Sequence, residues 1–408
     1  MKPSFLRILM LVCIMACSLG AYASTSSQVY HRATTPAAEA NSDKPLVVNN
    51  DDKLCINKTN ELAFTLLQKQ SQSEPYKSFT FSPLSVSYAL AMTSNGASGA
   101  TLKEIEALVG SSAAANSFYG KCLASFAPLV EMSNYLAMNK SYPVNQEFIK
   151  SIKGVYNAQV SNLNFGTTEA TNKINDWIKQ QSGGEFSDII KQTNVNEIAY
   201  LINYMKFKAW WNGPFAQNLT YERDFTNDDG TISQVPMMFQ YFHELYYEDN
   251  KCQAVSKKYA GGRLRMLVVL PKDTKINNFL AAMNADEFNR IISGLEETGV
   301  VDLSLPRFST NCNLDVREML LDLMPTAFDE KADFSRLSKA HSYINRFTQD
   351  TNITVNESGT EASSVTVQSF LVKAMHTQFT ANRPFLYFVY NEDTNAILLA
   401  GQFCGAAR

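Results

Sequence analysis

Residues 356–373 read Asn356-Glu-Ser-Gly-Thr-Glu-Ala-Ser-Ser-Val-Thr-Val-Gln-Ser-Phe-Leu-Val-Lys373. The stretch is too polar for an ordinary core strand, yet small and β-compatible residues fill it. Gly359 supplies a hinge, because glycine tolerates large backbone changes cheaply. Thirteen prolines are available to the chain, and none falls between Pro325 and Pro384. Proline is the residue a ladder strand cannot use, since it lacks the amide donor. Taking alternate residues puts Thr360, Ala362, Ser364 and Thr366 on one face, all small enough to be packed inside. The composition fits an exposed loop able to become a central strand; the plainer alternative is a Ser/Thr-rich surface loop.

On either side the chain is folded. Ile353-Thr-Val-Asn just before the stretch alternates as a strand does. After it, Phe385–Tyr390 and Ala396–Phe403 flank an Asn-Glu-Asp-Thr-Asn turn, a hairpin signal. Leu264–Leu270 is a mostly apolar run stopped by Pro271, and Val301, Leu303 and Leu305 alternate with polar residues up to Pro306. Helical spacing dominates earlier. Leu62, Ala63, Leu66 and Leu67 follow Asn60, read as an N-cap. Pro83 opens a second helix, and Thr101-Leu-Lys-Glu104 has the capping-box pattern. Ala170, Ile174, Trp177 and Ile178 form another stripe, and Ile276, Phe279, Leu280 and Met283 a later one. Helices early and strands late, without a βαβ rhythm, indicate an α+β fold.

The N-terminus has the form of an export signal: Lys2 and Arg7 precede an apolar run from Ile8 to Ala16. Two cleavage readings stand side by side. Ala21-Tyr-Ala23 would leave Ser24 first, whereas Ile14-Met-Ala-Cys17 resembles a lipoprotein box with Cys17 as the lipidated residue. Both export the protein to the cell envelope or beyond, the second with a lipid anchor in the outer membrane. Residues 24–53 lack an apolar period and read as a flexible tether. Beyond the signal, Cys55, Cys122, Cys252, Cys312 and Cys404 are far apart and odd in number, which suits buried free thiols better than a disulfide framework or zinc site.

The 408 residues are 45% apolar and 18% charged, with 36 basic against 39 acidic side chains. An apolar fraction of that size excludes a disordered chain, and a net charge of -3 argues against a dedicated nucleic-acid binder. Length alone suggests two or three domains. Catalytic signatures are missing. No two glycines are separated by one residue, and Gly96-Ala-Ser-Gly-Ala100 falls short of a nucleophile elbow. His31, His243, His341 and His376 are too scattered for a helical zinc motif. No enzyme, cofactor or metal is indicated.

The hinge stretch Asn356-Glu-Ser-Gly-Thr-Glu-Ala-Ser-Ser resembles the reactive-loop hinge of the serpins, the serine protease inhibitor family. Other blocks are similar to serpin blocks and stand in the family's order: Phe81-Ser-Pro-Leu-Ser-Val, Ile174-Asn-Asp-Trp-Ile, Asn203-Tyr-Met-Lys-Phe-Lys-Ala-Trp-Trp, Val235-Pro-Met-Met, Leu305-Pro-Arg-Phe-Ser, Ala327-Phe-Asp-Glu-Lys-Ala-Asp-Phe-Ser and Arg383-Pro-Phe-Leu-Tyr-Phe. The likeness implies one domain over 54–408, with three β-sheets, eight to nine helices and a reactive loop at about 357–378. It would follow a signal peptide at 1–23, or 1–16 on the lipoprotein reading.

By the family's pattern the residue before the scissile bond lies sixteen after the hinge glutamate, Glu357, and eleven before Pro384. Both counts reach Lys373, so the resemblance implies cleavage between Lys373 and Ala374. A lysine there suits trypsin-like proteases, while Phe370, Leu371 and Val372 offer alternative sites to elastase- or chymotrypsin-like enzymes. The implied activity is suicide inhibition by a monomer: the loop, hinged through Glu357, Gly359, Thr360, Ala362, Ser364 and Thr366, inserts into the main sheet and traps the acyl-enzyme. Trp211 resembles the tryptophan at the top of that sheet. Ser82, Ser85 and Asn203 match the polar cluster beneath it, where Gln349 replaces the usual histidine. Two other readings remain: a non-inhibitory carrier or binding module, and an inhibitor of cysteine proteases.

Overall fold

The computed structural model describes residues 7–16 (backbone only), 45–126, 129–272, 275–360 and 376–405. Its first element is a strand, β1 (Arg7–Ala16), formed by the apolar run that reads as the core of an export signal. Helix α1 (Asn50–Ser73) opens on a reciprocal cap: the Asn49 side chain accepts from the Asp52 amide and the Asp52 carboxylate accepts from the Asn49 amide. It therefore starts ten residues before the cap expected at Asn60 and takes in residues 50–53 of the expected tether. Asn60 is a buried mid-helix residue whose amide holds Asn395 O and Ile397 N. The strand β2 (Phe79–Phe81) leads into α2 (Pro83–Ser94), capped by Ser82 with Pro83 in the first turn, as its sequence indicates.

α3 (Gly99–Val109) begins before the capping box read at Thr101, and no such box forms. Thr101 Oγ1 instead accepts from Asp333 N, and Glu104 accepts from the Thr326 amide and hydroxyl, so both residues tie down a distant segment. The order continues with α4 (Ser112–Ser125), β3 (Val130–Asn139), α5 (Gln146–Tyr156), β4 (Gln159–Leu163), α6 (Thr168–Gln181), β5 (Glu197–Phe207) and β6 (Ala209–Trp210). Next come β7 (Tyr221–Thr226), β8 (Ile232–Glu248), β9 (Cys252–Lys258), β10 (Leu264–Pro271), α7 (Ile276–Ala281), α8 (Ala285–Ser293), β11 (Glu296–Pro306), β12 (Phe308–Asp315) and α9 (Val316–Leu320). The last strands are β13 (Ser342–Asn356), β14 (Gly359–Thr360), β15 (Thr377–Thr380), β16 (Phe385–Asn391) and β17 (Ile397–Phe403), the last two being the hairpin expected from sequence.

The main sheet runs β4-β3-β5-β1-β13-β14-β6, with β12 also on β13. A second ladder runs β15-β11-β8-β9-β10-β16-β17-β2, with β7 on β8. β8 is 17 residues long and pairs β7 along its first part and β9 along its last, so this ladder comprises two sheets joined through it. The fold is thus α+β with three sheets and, among the described residues, nine α-helices.

Layering follows from the apolar faces. α2 is buried along its whole length and contacts β5 and β1 on one side and β17 on the other. α6 covers the opposite face of the main sheet, where Ile174, Trp177 and Ile178 pack with Tyr135 and Tyr200. β5 is therefore enclosed from both sides and buried at ten of its eleven positions, as a central strand must be. Cys55, Cys122, Cys252 and Cys404 are buried free thiols, as expected, and loss of solvation pushes the last two up to about 12.

Candidate functional site

The site is a seam in the main sheet. β5 and β13 run in the same direction with one strand, β1, between them, parallel to both. Above β1, the chain leaves β13 at Asn356, turns through Glu357 and Ser358, and re-enters the sheet as β14. That strand pairs antiparallel with β13 on one side (Val355↔Thr360) and with β6, the continuation of β5, on the other (Thr360↔Ala209).

The turn is built by its own side chain. Asn356 Oδ1 accepts from the amides of Ser358 (3.0 Å) and Gly359 (3.2 Å), an Asx-type closure. Gly359 crosses so close to β6 that a Cβ there would lie 2.2 Å from Ala209 O, so no other residue fits. Trp211 holds the turn from beneath: its indole Nε1 donates to Asn356 O (3.0 Å), its amide donates to Ser358 O (2.9 Å), and its ring stacks on Tyr259 at 4.4 Å. The Tyr259 hydroxyl lies 2.7 Å from Thr360 Oγ1, and Thr360 is fully buried. Glu357 is anchored by Thr220 Oγ1 (2.7 Å) and by Arg307 (3.4 Å) from the start of β12.

Below this entrance lies the polar cluster. Ser82 and Ser85, at the N-terminus of α2, fasten one wall each. The Gln349 side chain accepts from Ser82 N (2.9 Å) and donates to Ser82 O (3.0 Å), binding β13 to the helix. Ser85 Oγ donates to Asn203 Oδ1 (2.6 Å), binding β5, and Asn203 Nδ2 donates on to Asn134 Oδ1 of β3 (2.8 Å). Gln349 and Asn203 are fully buried and face each other across β1, both opposite Cys13. The Gln349 amide gives and takes a hydrogen bond at once, so one side chain engages both backbone groups of Ser82.

The structure brings Glu357, Gly359, Thr360, Trp211, Ser82, Ser85, Asn203 and Gln349 together along one seam. Ala362, Ser364, Thr366, Phe370, Leu371, Val372, Lys373 and Ala374 lie outside the described residues, as does Cys17. The far end of the loop is fixed at His376, whose Nδ1 is 2.7 Å from Asp302 Oδ1, and at β15 on β11. Sequence reading missed Arg307, Tyr259, Asn134 and the presence of β1 in the seam. Arg307 stood in a quoted block without a role; nothing in local spacing marks the others. No cluster of metal-ligating residues occurs among the described residues, and no helix described is long and apolar enough to cross a membrane.

A family model described as serpin (serine protease inhibitor) matches residues 57–405. The leukocyte elastase inhibitor of Bos taurus is 29% identical, the match covering 83% of this chain and 96% of the relative. Among solved structures, the native state of the thermophilic serpin tengpin superposes with a TM-score of 0.79 at 25% identity, over 91% of this chain and 99% of that one. Human thyroxine-binding globulin gives 0.78 at 26%, over 88% and 100%. The hinge turning back into the sheet, the polar cluster beneath it and a family match across most of the chain lead to one conclusion: the chain belongs to the serpin family.

Proposed function

We propose that this serpin is a suicide-substrate inhibitor of trypsin-like serine proteases, cleaved between Lys373 and Ala374. The observation that carries the reading is the hinge: Gly359 and Thr360 already pair into the mouth of the seam, and Thr360 is buried there. A loop started as a strand can continue as one once its far end is released and the seam below it is open.

On this reading the protease serine attacks the Lys373 carbonyl, Ala374 leaves as the new amino terminus, and an acyl-enzyme forms. Residues 358–372 then extend β14 down the seam before water reaches the ester, and the displaced protease stalls. Thr360, Ala362, Ser364 and Thr366, the alternating positions, are small, so the inward face meets no steric barrier. Lys373 supplies the charge that a trypsin-like specificity pocket selects, and Phe370, Leu371 and Val372 widen the range to proteases preferring apolar residues. The protein acts as a monomer after export, with its partner held covalently.

The test is incubation of the mature protein with trypsin, followed by denaturing electrophoresis and sequencing of the released fragment. A denaturation-resistant band at the summed mass, with Ala374 as the new N-terminus, is the expected result. Clean cleavage with active trypsin would move the target to another protease class or the function to carriage.

A further inference from the structure

The seam has one strand's width and two candidates to fill it. β1 pairs with β13 from Arg7↔Ser342 to Met15↔Thr351, and with β5 from Ile8↔Glu197 to Ala16↔Lys206. β14 enters the same seam from the other end in the opposite direction, at Asn356↔Gly359 and Val355↔Thr360. Continued one residue for one along β13, that register would set Ser364 opposite Thr351 and Lys373 opposite Ser342. These are the limits of β1. A strand from the N-terminus and a strand from the reactive loop therefore address the same stretch of β13, one parallel and one antiparallel.

We propose that residues 7–16 and the reactive loop are alternative occupants of this seam, so that the chain retaining its N-terminal segment cannot trap a protease. The proposal rests on the inhibitor reading above. Residues 8–16 carry no charge, glycine or proline, and Ile8, Val12 and Ile14 are β-branched, which is what a strand enclosed on both faces requires. With β1 in place the facing ladder groups of β5 and β13 are already paired, so nothing remains to draw the loop beyond its first few residues. Cys13 sits between Gln349 and Asn203, at the level where α2 fastens both walls. Ala16 is the last residue of β1, and both cleavage readings, before Cys17 and before Ser24, cut beyond it. Either one would remove the whole strand, so processing would arm the inhibitor by emptying its seam.

The experiment compares three unprocessed or truncated forms: the full chain, the chain beginning at Ser24, and the full chain with Leu11→Pro. The proline variant keeps the apolar run and breaks its ladder. Each is mixed with trypsin, and each is melted without protease. The Ser24 chain should form the covalent band. The full chain should be cleaved as a substrate with a several-fold higher stoichiometry, and Leu11→Pro should restore trapping. Without protease, the full chain should melt higher than the other two by roughly 10 °C, the gain from one additional central strand. Equal trapping by the full and Ser24 chains overturns the proposal, as does a full chain that Leu11→Pro fails to rescue. If none of the three traps trypsin, the inhibitor reading fails for that protease and melting decides the seam: a higher midpoint removed by Leu11→Pro supports occupancy, and equal midpoints overturn it.

Discussion

Thr360 is fully buried with its hydroxyl against Tyr259, so an arginine there would place a guanidinium against a neutral hydroxyl in a closed interior. Burying an unpaired charge costs several kcal/mol, so the arginine would leave the mouth of the seam, and the same cost would then oppose its re-entry in the step that must outrun deacylation. Thr360→Arg should therefore be cut by trypsin while releasing more of it, and Thr360→Ser should behave as the parent. Titration of protease activity against inhibitor checks this; an unchanged stoichiometry for the arginine variant removes Thr360 from the mechanism. Gln349 invites the opposite change. Gln349→Leu leaves Ser82 N without a partner in a closed interior, at about 1–3 kcal/mol, and unties β13 from Ser82 O, which still accepts from Val86 N. The expected outcome is a lower melting point and faster conversion to an inactive form at 37 °C, both read by scanning calorimetry and residual trapping after storage. Thr360 was legible from sequence because a small residue on an alternating face is a local pattern. The two bonds of Gln349 were not, since they join positions 267 residues apart.

Among elements, the N-terminus of α2 is the part that fastens the two walls of the seam, one serine to each. Its start was legible from Pro83, whereas the start of α1 was not. The polar first turn of α1 reads as tether until the reciprocal bonds of Asn49 and Asp52 are seen, and Asn60 reads as a cap because its distant partners in the β16–β17 turn leave no trace nearby. The hairpin of β8 and β9 carries a different test. Lys257 is 2% exposed, with its ammonium 3.2 Å from the centre of the Phe242 ring and 3.0 Å from Glu244 Oε1. Burial outweighs the carboxylate and lowers its pKa to about 8 from the ordinary 10.5. Between those values the unfolded chain holds a proton the folded chain has released, so this residue's contribution rises with pH. From about pH 7.5 to 9.5 the stability of the parent relative to Lys257→Met should improve by about 2 kcal/mol in urea unfolding. A difference that stays flat over that range would show that Glu244 keeps the lysine charged.

At the scale of the molecule, length misled: 408 residues suggested two or three domains, yet α2 lies between the main sheet and the hairpin of β16 and β17, so one core serves both sheets. Composition excluded disorder and order of blocks pointed to the family, but neither marks which segment fills a seam. That is a property of register, and β1 and the loop differ in sequence while competing for the same partner. The distinction between inhibitor and carrier is drawn at this scale too. Cutting the loop of the chain that begins at Ser24 frees residues 358–372 to enter the sheet as a central strand. Ten or more ladder bonds at about 1 kcal/mol each, in a chain whose melting point moves by roughly 1–2 °C per kcal/mol, should raise the midpoint by at least about 10 °C. Scanning calorimetry before and after limited proteolysis measures it, and an unmoved midpoint would favour the carrier reading. The same cut in the full chain should leave the midpoint where it was, because the place the freed strand needs is already held by residues 7–16.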